Sequence, residues 1–557
     1  MPTTHDIIHG HLAFLYGTAR ADALAVQLQA RLAAFRAAHP ELGRVGSQQQ
    51  RLSEDDVILI TYGDQVQEPG VAPLRTLGEV MATTLGDVVS GVHLLPFYPY
   101  TSDDGFSVVD YRAVDPALGV WADLAPLRAR YKLMYDAVVN HISASSAWFK
   151  AYLLGDPAVR DYFIALDPHT DVSQVTRPRT HPLLSKFDTA DGEKWLWTTF
   201  SVDQIDLNVA HPEVLLELID VLLLYVAEGA SLLRLDAIGY LWKELGTRCI
   251  HLPQTHRAVQ LFRSVLDEVA PNVLLVTETN VPHADNISYF GDGTNEAQMV
   301  YQFPLSPLVL NALHTGSGRH LSEWAGTLAP PSAQTTFFNF LASHDGIGVV
   351  PATGILSPQE VGALAEQVLA HGGRVSYKNN PDGSQSPYEL NITLFDALSD
   401  PHAADEFAVD RFICAHAIML ALQGVPGIYI HSLVGSHNNL VGLAATGRAR
   451  TINREKWQRA ELEARLADPG THERQVFAAM SALIRARRAA AALHPSGAQQ
   501  VLDLGEAFFA LLRTAPGGGE RMVCVHNLSS DDQPVPPGLG LGLPNSIPAY
   551  GFVWQNV

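Results

Sequence analysis

Cysteine is nearly missing from this chain. Three thiols, Cys249, Cys414 and Cys524, serve 557 residues. Odd in number, scattered and without a CxxC pair, they argue against a disulfide framework or a cysteine zinc centre and fit a reducing cytoplasm. Positive charge is scarce as well. Lys and Arg total 37 against 58 Asp and Glu, a formal charge of −21, so the basic footprint that nucleic acid or an anionic membrane would require is missing. Long apolar runs are lacking. The most apolar stretch, VLLLYVAEGASLLRL, is interrupted by Glu228 and Gly229, and no membrane span is expected. The opening MPTTHDIIHGHLAFLYG has neither a basic start nor an unbroken apolar core, so it does not read as a signal peptide. No GxGxxG or GxxxxGKS/T stands after a strand, so neither a nicotinamide nor a nucleotide cofactor is expected, and none is assigned.

What is present is globular. A hydrophobic share of 47% with 17% charged residues is a core-forming composition, and 557 residues exceed one compact core, which predicts two or three domains. The chain is organised around Ala230 to Gly239, ASLLRLDAIG, an apolar run with one Arg that ends in Asp236. Such a run reads as a strand buried on both faces, with the charged end emerging from the core. HLLPFYPYTSDD, KLMYDAVVNH, NVLLVTE and TTFFNFLASHD share that grammar. Several buried strands that deliver Asp, Glu, His or Asn at the same end describe a (β/α)8 barrel. VILITYGD, HLLPFY, KLMYDAVVNH, ASLLRLD, NVLLVTE, QMVYQFP, TTFFNFLASHD and GVPGIYI are then its eight strands, with QIDLN (204–208) re-entering the barrel after an insertion.

The expected division is an N-terminal helical extension over 1–52 and a barrel over 53–142 and 201–496. An inserted subdomain over 143–200 and a C-terminal all-β domain over 497–557 complete it. A Gly/Asn/Ser/Pro-rich stretch, Gly372 to Leu390, reads as a mobile loop.

Three carboxylates carry the chemistry: Asp236, Glu278 and Asp345. The spacings, 42 and 67 residues, suit neighbouring strands and one intervening βα unit. Two carboxyl groups about 5 Å apart across a sugar ring perform retaining glycosyl transfer, one as nucleophile and one as acid/base. Arg234, two residues before Asp236 on the same face, would keep Asp236 ionised. Glu278 follows the apolar VLLV, a setting that suits an acid. A lone strand-end carboxylate is usually a cap or surface charge; the joint occurrence of four such ends in order lifts the reading above that. Asp167, Asp171 and Asp188 lack ligand spacing, so no calcium or other metal is expected.

DAVVNH (136–141), RLDA (234–237), Glu278 after its strand and SHD (343–345) resemble the four signature regions of glycoside hydrolase family 13, the α-amylase superfamily. Within it, ITYGDQ, GVHLLPFYPYTSDDGF, QIDLN, RLDAIGY, SHDGIGV and TINREKW are similar to the sucrose phosphorylase subfamily. The resemblance implies Asp236 as nucleophile, Glu278 as acid/base and Asp345 as transition-state stabiliser. It implies a glucose subsite with His141, His344, Arg234 and Gln204, closed by Asp103 and Arg450, with Arg448 a rival to Arg450. Arg179 and the Tyr388 loop would alternate between phosphate and acceptor, with Arg177, Glu389, His437 and Arg448 as further phosphate or acceptor contacts.

The extended N-terminus, the SDDGF loop and the SHNN…ATGRARTINR stretch look like the glucosylglycerate phosphorylase branch. That branch implies an α-glucoside, inorganic phosphate, α-D-glucose 1-phosphate and D-glycerate as partners. Sucrose, sucrose 6-phosphate and glucosylglycerol phosphorolysis are the alternatives, with fructose in place of glycerate for the first. A cytoplasmic monomer or homodimer would fit. A non-catalytic barrel serving as a scaffold would be expected to have lost one of the carboxylates, and all three are here.

Overall fold

A computed structural model describes residues 3–44, 51–380, 383–537 and 541–557; parts of the 1–52 extension and of the Gly372–Leu390 stretch lie outside them. Eight parallel strands close into a barrel: β1 (Ile58–Thr61), β2 (Gly91–Leu94), β3 (Lys132–Ala137), β4 (Ala230–Leu235), β5 (Leu274–Thr277), β6 (Met299–Tyr301), β7 (Thr336–Phe340) and β8 (Val425–Tyr429). Each strand lies beside the next in sequence, and β8 returns to β1. Nearly every barrel position is buried, as expected of parallel strands covered on both faces. The eight runs read from the sequence are these eight strands. QIDLN is the exception. Gln204–Asp206 lies outside the barrel and pairs antiparallel with His141–Ser143; its short alternating pattern resembled a barrel strand, but its partner is the chain just beyond β3.

The chain forms two compact units. The first comprises Met1–Arg51, Leu94–Thr279 and Ile287–Val300. It opens with α1 (Thr4–Tyr16), capped by Thr3 and Asp6, and α2 (Thr18–Ala38). Leu24, Leu28 and Leu32 line the buried face of α2, and ion pairs fasten it: Arg31 to Asp220 at 2.6 Å and Arg36 to Glu268 at 2.6 Å. Beyond β3 come the helix Ala147–Leu153 and the antiparallel strands Leu184–Thr189 and Gly192–Trp197.

The second unit comprises Leu52–His93, Asn280–Asn286 and Tyr301–Val557. It contains β1, β7 and β8, and its last sixty residues hold a four-stranded antiparallel sheet built on Phe508–Thr514 and Arg521–Asn527. The stretch read as a mobile loop is instead a hairpin: Arg374–Asn379 pairs antiparallel with Gln385–Asn391. Its exposed, polar first strand disguised it. The ladder runs Ser376↔Glu389 and then Tyr377↔Pro387, so Tyr388 is an extra residue in a β-bulge, a feature that re-aims side chains near functional sites. Among the described residues no helix is long and apolar enough to cross a membrane.

Candidate active site

In the first unit the chemistry gathers where β3, β4 and β5 end. The parallel register sets Arg234 beside Asp136, and the two form a buried ion pair. The same guanidinium holds Asp236 Oδ1 at 2.8 Å through Nη1, and its Nη2 lies 3.8 Å from Glu278 Oε2. Two carboxylates from adjacent strands thus meet on one cation. Ala237, directly after Asp236, takes a left-handed backbone (φ 48°), an uncommon state for alanine that marks functional turns. Its N–H donates to Glu278 Oε2 at 2.9 Å. Glu278 is therefore less apolar in its surroundings than the run before it implied. The Phe106 ring stacks 5.7 Å from the Arg234 guanidinium and helps desolvate the cluster.

His141 is fully enclosed. Its Nε2 sits 2.9 Å from the Phe106 carbonyl, and the Asn140 amide lies 3.3 Å from Nδ1, an arrangement that suits the Nε2–H tautomer. Burial pushes its pKa down, so the ring is neutral. Gln204 Nε2 lies 3.2 Å from the ring and 3.4 Å from Asp103 Oδ2. Asp103 and Asp104 both adopt positive φ, 54° and 47°, so the SDDGF loop is strained where it presents the Asp103 carboxylate.

A buried ammonium supports this arrangement, and the sequence reading missed it. Lys243 Nζ is 2.9 Å from Asp206 Oδ2 and 2.8 Å from Asn140 Oδ1; Asp206 also accepts from Thr199 N and Oγ1, each at 2.7 Å. Burial lowers the Lys243 pKa against the pull of Asp206. Lys243→Met is expected to strand the Asp206 charge and to cost about 3–5 kcal/mol of stability, measured by urea unfolding, with activity falling as Asn140 and His141 lose their support. Lysine at this place has no signature in sequence beyond its distance from Asp236.

Arg177 and Arg179 stand on a turn in the inserted segment. Both are half-buried, and burial lowers the Arg177 pKa. The Arg177 Nε is buried and finds no hydrogen-bond partner among the described residues.

In the second unit Asp345 lies among cations. Arg450 Nη1 is 2.6 Å from Asp345 Oδ1, and Arg454 Nη2 is 3.7 Å away. His344 Nε2 lies 3.5 Å from the same oxygen. Arg454 also donates to the His344 carbonyl at 2.7 Å, and Asn453 to that of Asp345 at 2.9 Å. Of the two rival arginines, Arg450 meets Asp345, whereas Arg448 is exposed. Arg454, absent from the sequence-based candidates, belongs to the same TINREKW segment. Glu389 is buried and pairs with Arg450 through Oε1 at 2.8 Å and Oε2 at 3.2 Å. Tyr388 precedes it at the bulge. His437 Nδ1 bonds Asp396 Oδ1 at 2.6 Å, and that bond raises its pKa.

The model of the alpha-amylase catalytic domain matches residues 84–349. A glucosylglycerate phosphorylase of Allomeiothermus silvanus is 52% identical over 96% of this chain and 94% of its own length. One from Spirochaeta thermophila is 48% identical over 94% and 89%. Among solved structures, a sucrose 6F-phosphate phosphorylase from Thermoanaerobacter thermosaccharolyticum shares the fold with a TM-score of 0.74 at 24% identity, covering 85% of this chain and 94% of that one. With 52% identity over nearly the whole of both chains and the alpha-amylase domain matched, the chain belongs to the glucosylglycerate phosphorylase family of the α-amylase superfamily, glycoside hydrolase family 13.

Proposed function

We propose that the protein is a retaining glucoside phosphorylase that converts 2-O-α-D-glucosyl-D-glycerate and phosphate reversibly into α-D-glucose 1-phosphate and D-glycerate. The observation that carries the chemistry is the Arg234 guanidinium shared by Asp236 and Glu278. Identity of 52% and 48% over most of the chain to proteins named for that activity, against 30% to a sucrose phosphorylase, favours D-glycerate as acceptor.

In the first half-reaction an Asp236 oxygen attacks the anomeric carbon while Glu278 gives its proton to the departing glycerate oxygen. The glycosidic C–O bond breaks and a β-glucosyl ester forms. Esterification removes the Asp236 charge, so Arg234, still paired with Asp136, has one anion fewer to balance and favours the anionic, base form of Glu278. In the second half-reaction Glu278 takes a proton from phosphate, whose oxygen attacks the same carbon, and Asp236 leaves as carboxylate. Retention follows from the two inversions. Asp345 is assigned to stabilise the transition state by gripping sugar hydroxyls, with His344 and Arg450 beside it. Asp103, His141 and Gln204 are assigned to glucose binding.

Phosphate and glycerate are both small anions, and both call for a cationic, donor-rich place. Arg179 and Arg177, the latter with its orphaned buried Nε, are assigned that role together with Tyr388. Arg179→Ala is expected to lower phosphorolysis about 100-fold while background hydrolysis of α-glucosyl fluoride changes only a few-fold; equal losses in the two assays would remove it from the phosphate site. The test of the whole reading is phosphate release from α-D-glucose 1-phosphate with D-glycerate, fructose, fructose 6-phosphate or glycerol. A preference for fructose would overturn the acceptor and leave the chemistry standing.

A further inference from the structure

We propose that Glu389 is a positioning residue that sets the orientation of Arg450 toward Asp345, and that it does not touch phosphate or acceptor. This rests on the phosphorylase reading above and assigns a different role from the one the sequence resemblance implied for that residue.

Glu389 is 1% exposed, and both its oxygens are committed. Oε1 accepts from Arg450 Nη2 at 2.8 Å and from Gly346 N at 3.1 Å; Oε2 accepts from Arg450 Nε at 3.2 Å. This is side-on, bidentate pairing along the Nε–Nη2 edge of a planar guanidinium, the arrangement that fixes its plane as well as its place. With that edge taken, the remaining nitrogen, Nη1, meets Asp345 Oδ1 at 2.6 Å. An arginine held only by Asp345 could rotate about its long side chain; one gripped along its other edge cannot.

The backbone makes the three residues one assembly. Ile347↔Leu390 and Gly348↔Glu389 pair antiparallel, so the strand that carries Glu389 is stitched to the segment that follows Asp345. Between them lies Gly346, where a Cβ would come within 2.5 Å of Glu389 Cγ and 2.7 Å of the Leu390 carbonyl. Only glycine admits so close an approach. A carboxylate in direct contact with phosphate or glycerate would repel the ligand, whereas one buried against a guanidinium has its charge compensated.

The test compares Glu389→Gln, Glu389→Asp, Arg450→Lys and the Glu389→Gln/Arg450→Lys pair, each checked for folding by thermal melting. Turnover is followed both in synthesis from α-D-glucose 1-phosphate and in hydrolysis of α-glucosyl fluoride. The second assay needs no acceptor, so it reads the positioning effect even if the acceptor assignment fails. Misplacing a reacting-site group by about 1 Å costs on the order of 10²-fold, so Glu389→Gln is expected to lower kcat about 10- to 100-fold in both assays. KM for phosphate and D-glycerate should stay within about three-fold. The paired variant should be no slower than the slower single, because both changes break one link. Glu389→Asp, which keeps the charge, should retain more kcat than Glu389→Gln, and this ordering remains readable if the Gln variant folds poorly. A tenfold rise in either anion's KM with kcat intact would overturn the proposal. So would multiplicative losses in the pair, or a Gln variant faster than the Asp one.

Discussion

Asp236→Asn is expected to lower turnover by on the order of 10⁴-fold in both directions, with hydrolysis of α-glucosyl fluoride falling in parallel. The amide has the shape of the carboxylate and can still accept from Arg234, which keeps its buried pairing with Asp136, so the fold should survive. What is lost is the ability to displace a leaving group and to depart again as an anion. Trapping the wild-type protein with a slow fluorosugar and mapping the labelled peptide by mass spectrometry should place the sugar on Asp236. Turnover within tenfold of wild type, or a label on any other residue, would refute the mechanism.

The second large effect concerns pH. Burial pushes His11, His314, His416 and His526 down to about 4 and His431 to about 3, against an ordinary 6.5. Hydrogen bonds show why a proton is unwelcome. In His314, Nε2 lies 3.0 Å from the Ala397 carbonyl while Nδ1 faces the Gln367 amide at 2.9 Å. In His526, Nδ1 lies 3.0 Å from the Phe509 carbonyl while Nε2 accepts from Trp554 Nε1–H at 3.3 Å. Each ring has one donor facing an acceptor and one acceptor facing a donor, so each is neutral and locked in one tautomer. A second proton would set N–H against N–H.

The unfolded chain binds these protons below 6.5 and the folded chain does not, so stability falls with falling pH from about 6.5 to about 4. The loss is on the order of 2–3 kcal/mol for a fully buried ring by pH 4, a sizeable share of the stability of an ordinary domain. His437 runs the other way. Its raised pKa contributes below 6.5 and is lost as pH rises through the folded value, but with 54% of its side chain exposed it does not offset five buried rings. Urea midpoints between pH 7 and pH 4.5 should drop steeply, and His526→Gln should flatten the slope. A flat profile would show that these rings accept protons in place.

The barrel and its charged strand ends were legible because burial on both faces leaves so little freedom: ASLLRLD and NVLLVTE can be little else than parallel strands, and an Asp or Glu closing such a run is conspicuous. Arg234 was readable for the same reason, two residues before Asp236 on one face. Residues that act across long separations were not. Lys243 reaches Asn140 and Asp206, and Arg454 reaches Asp345 from 109 positions away; a single sequence carries no trace of such pairings. The hairpin at 374–391 was hidden by composition. Glycine, asparagine, serine and proline signal a loop, and only the pairing partner turns them into a ladder. That Arg450, and not Arg448, contacts Asp345 likewise needed geometry, since the two lie two residues apart and carry the same charge.

One consequence lies in the arithmetic of that hairpin. The rungs on either side of Tyr388 match without it, so architecture alone would be served by a strand shorter by one. Deleting this tyrosine should leave the sheet standing while withdrawing an aromatic ring from its place. Strand length here is thus a coordinate separate from residue identity.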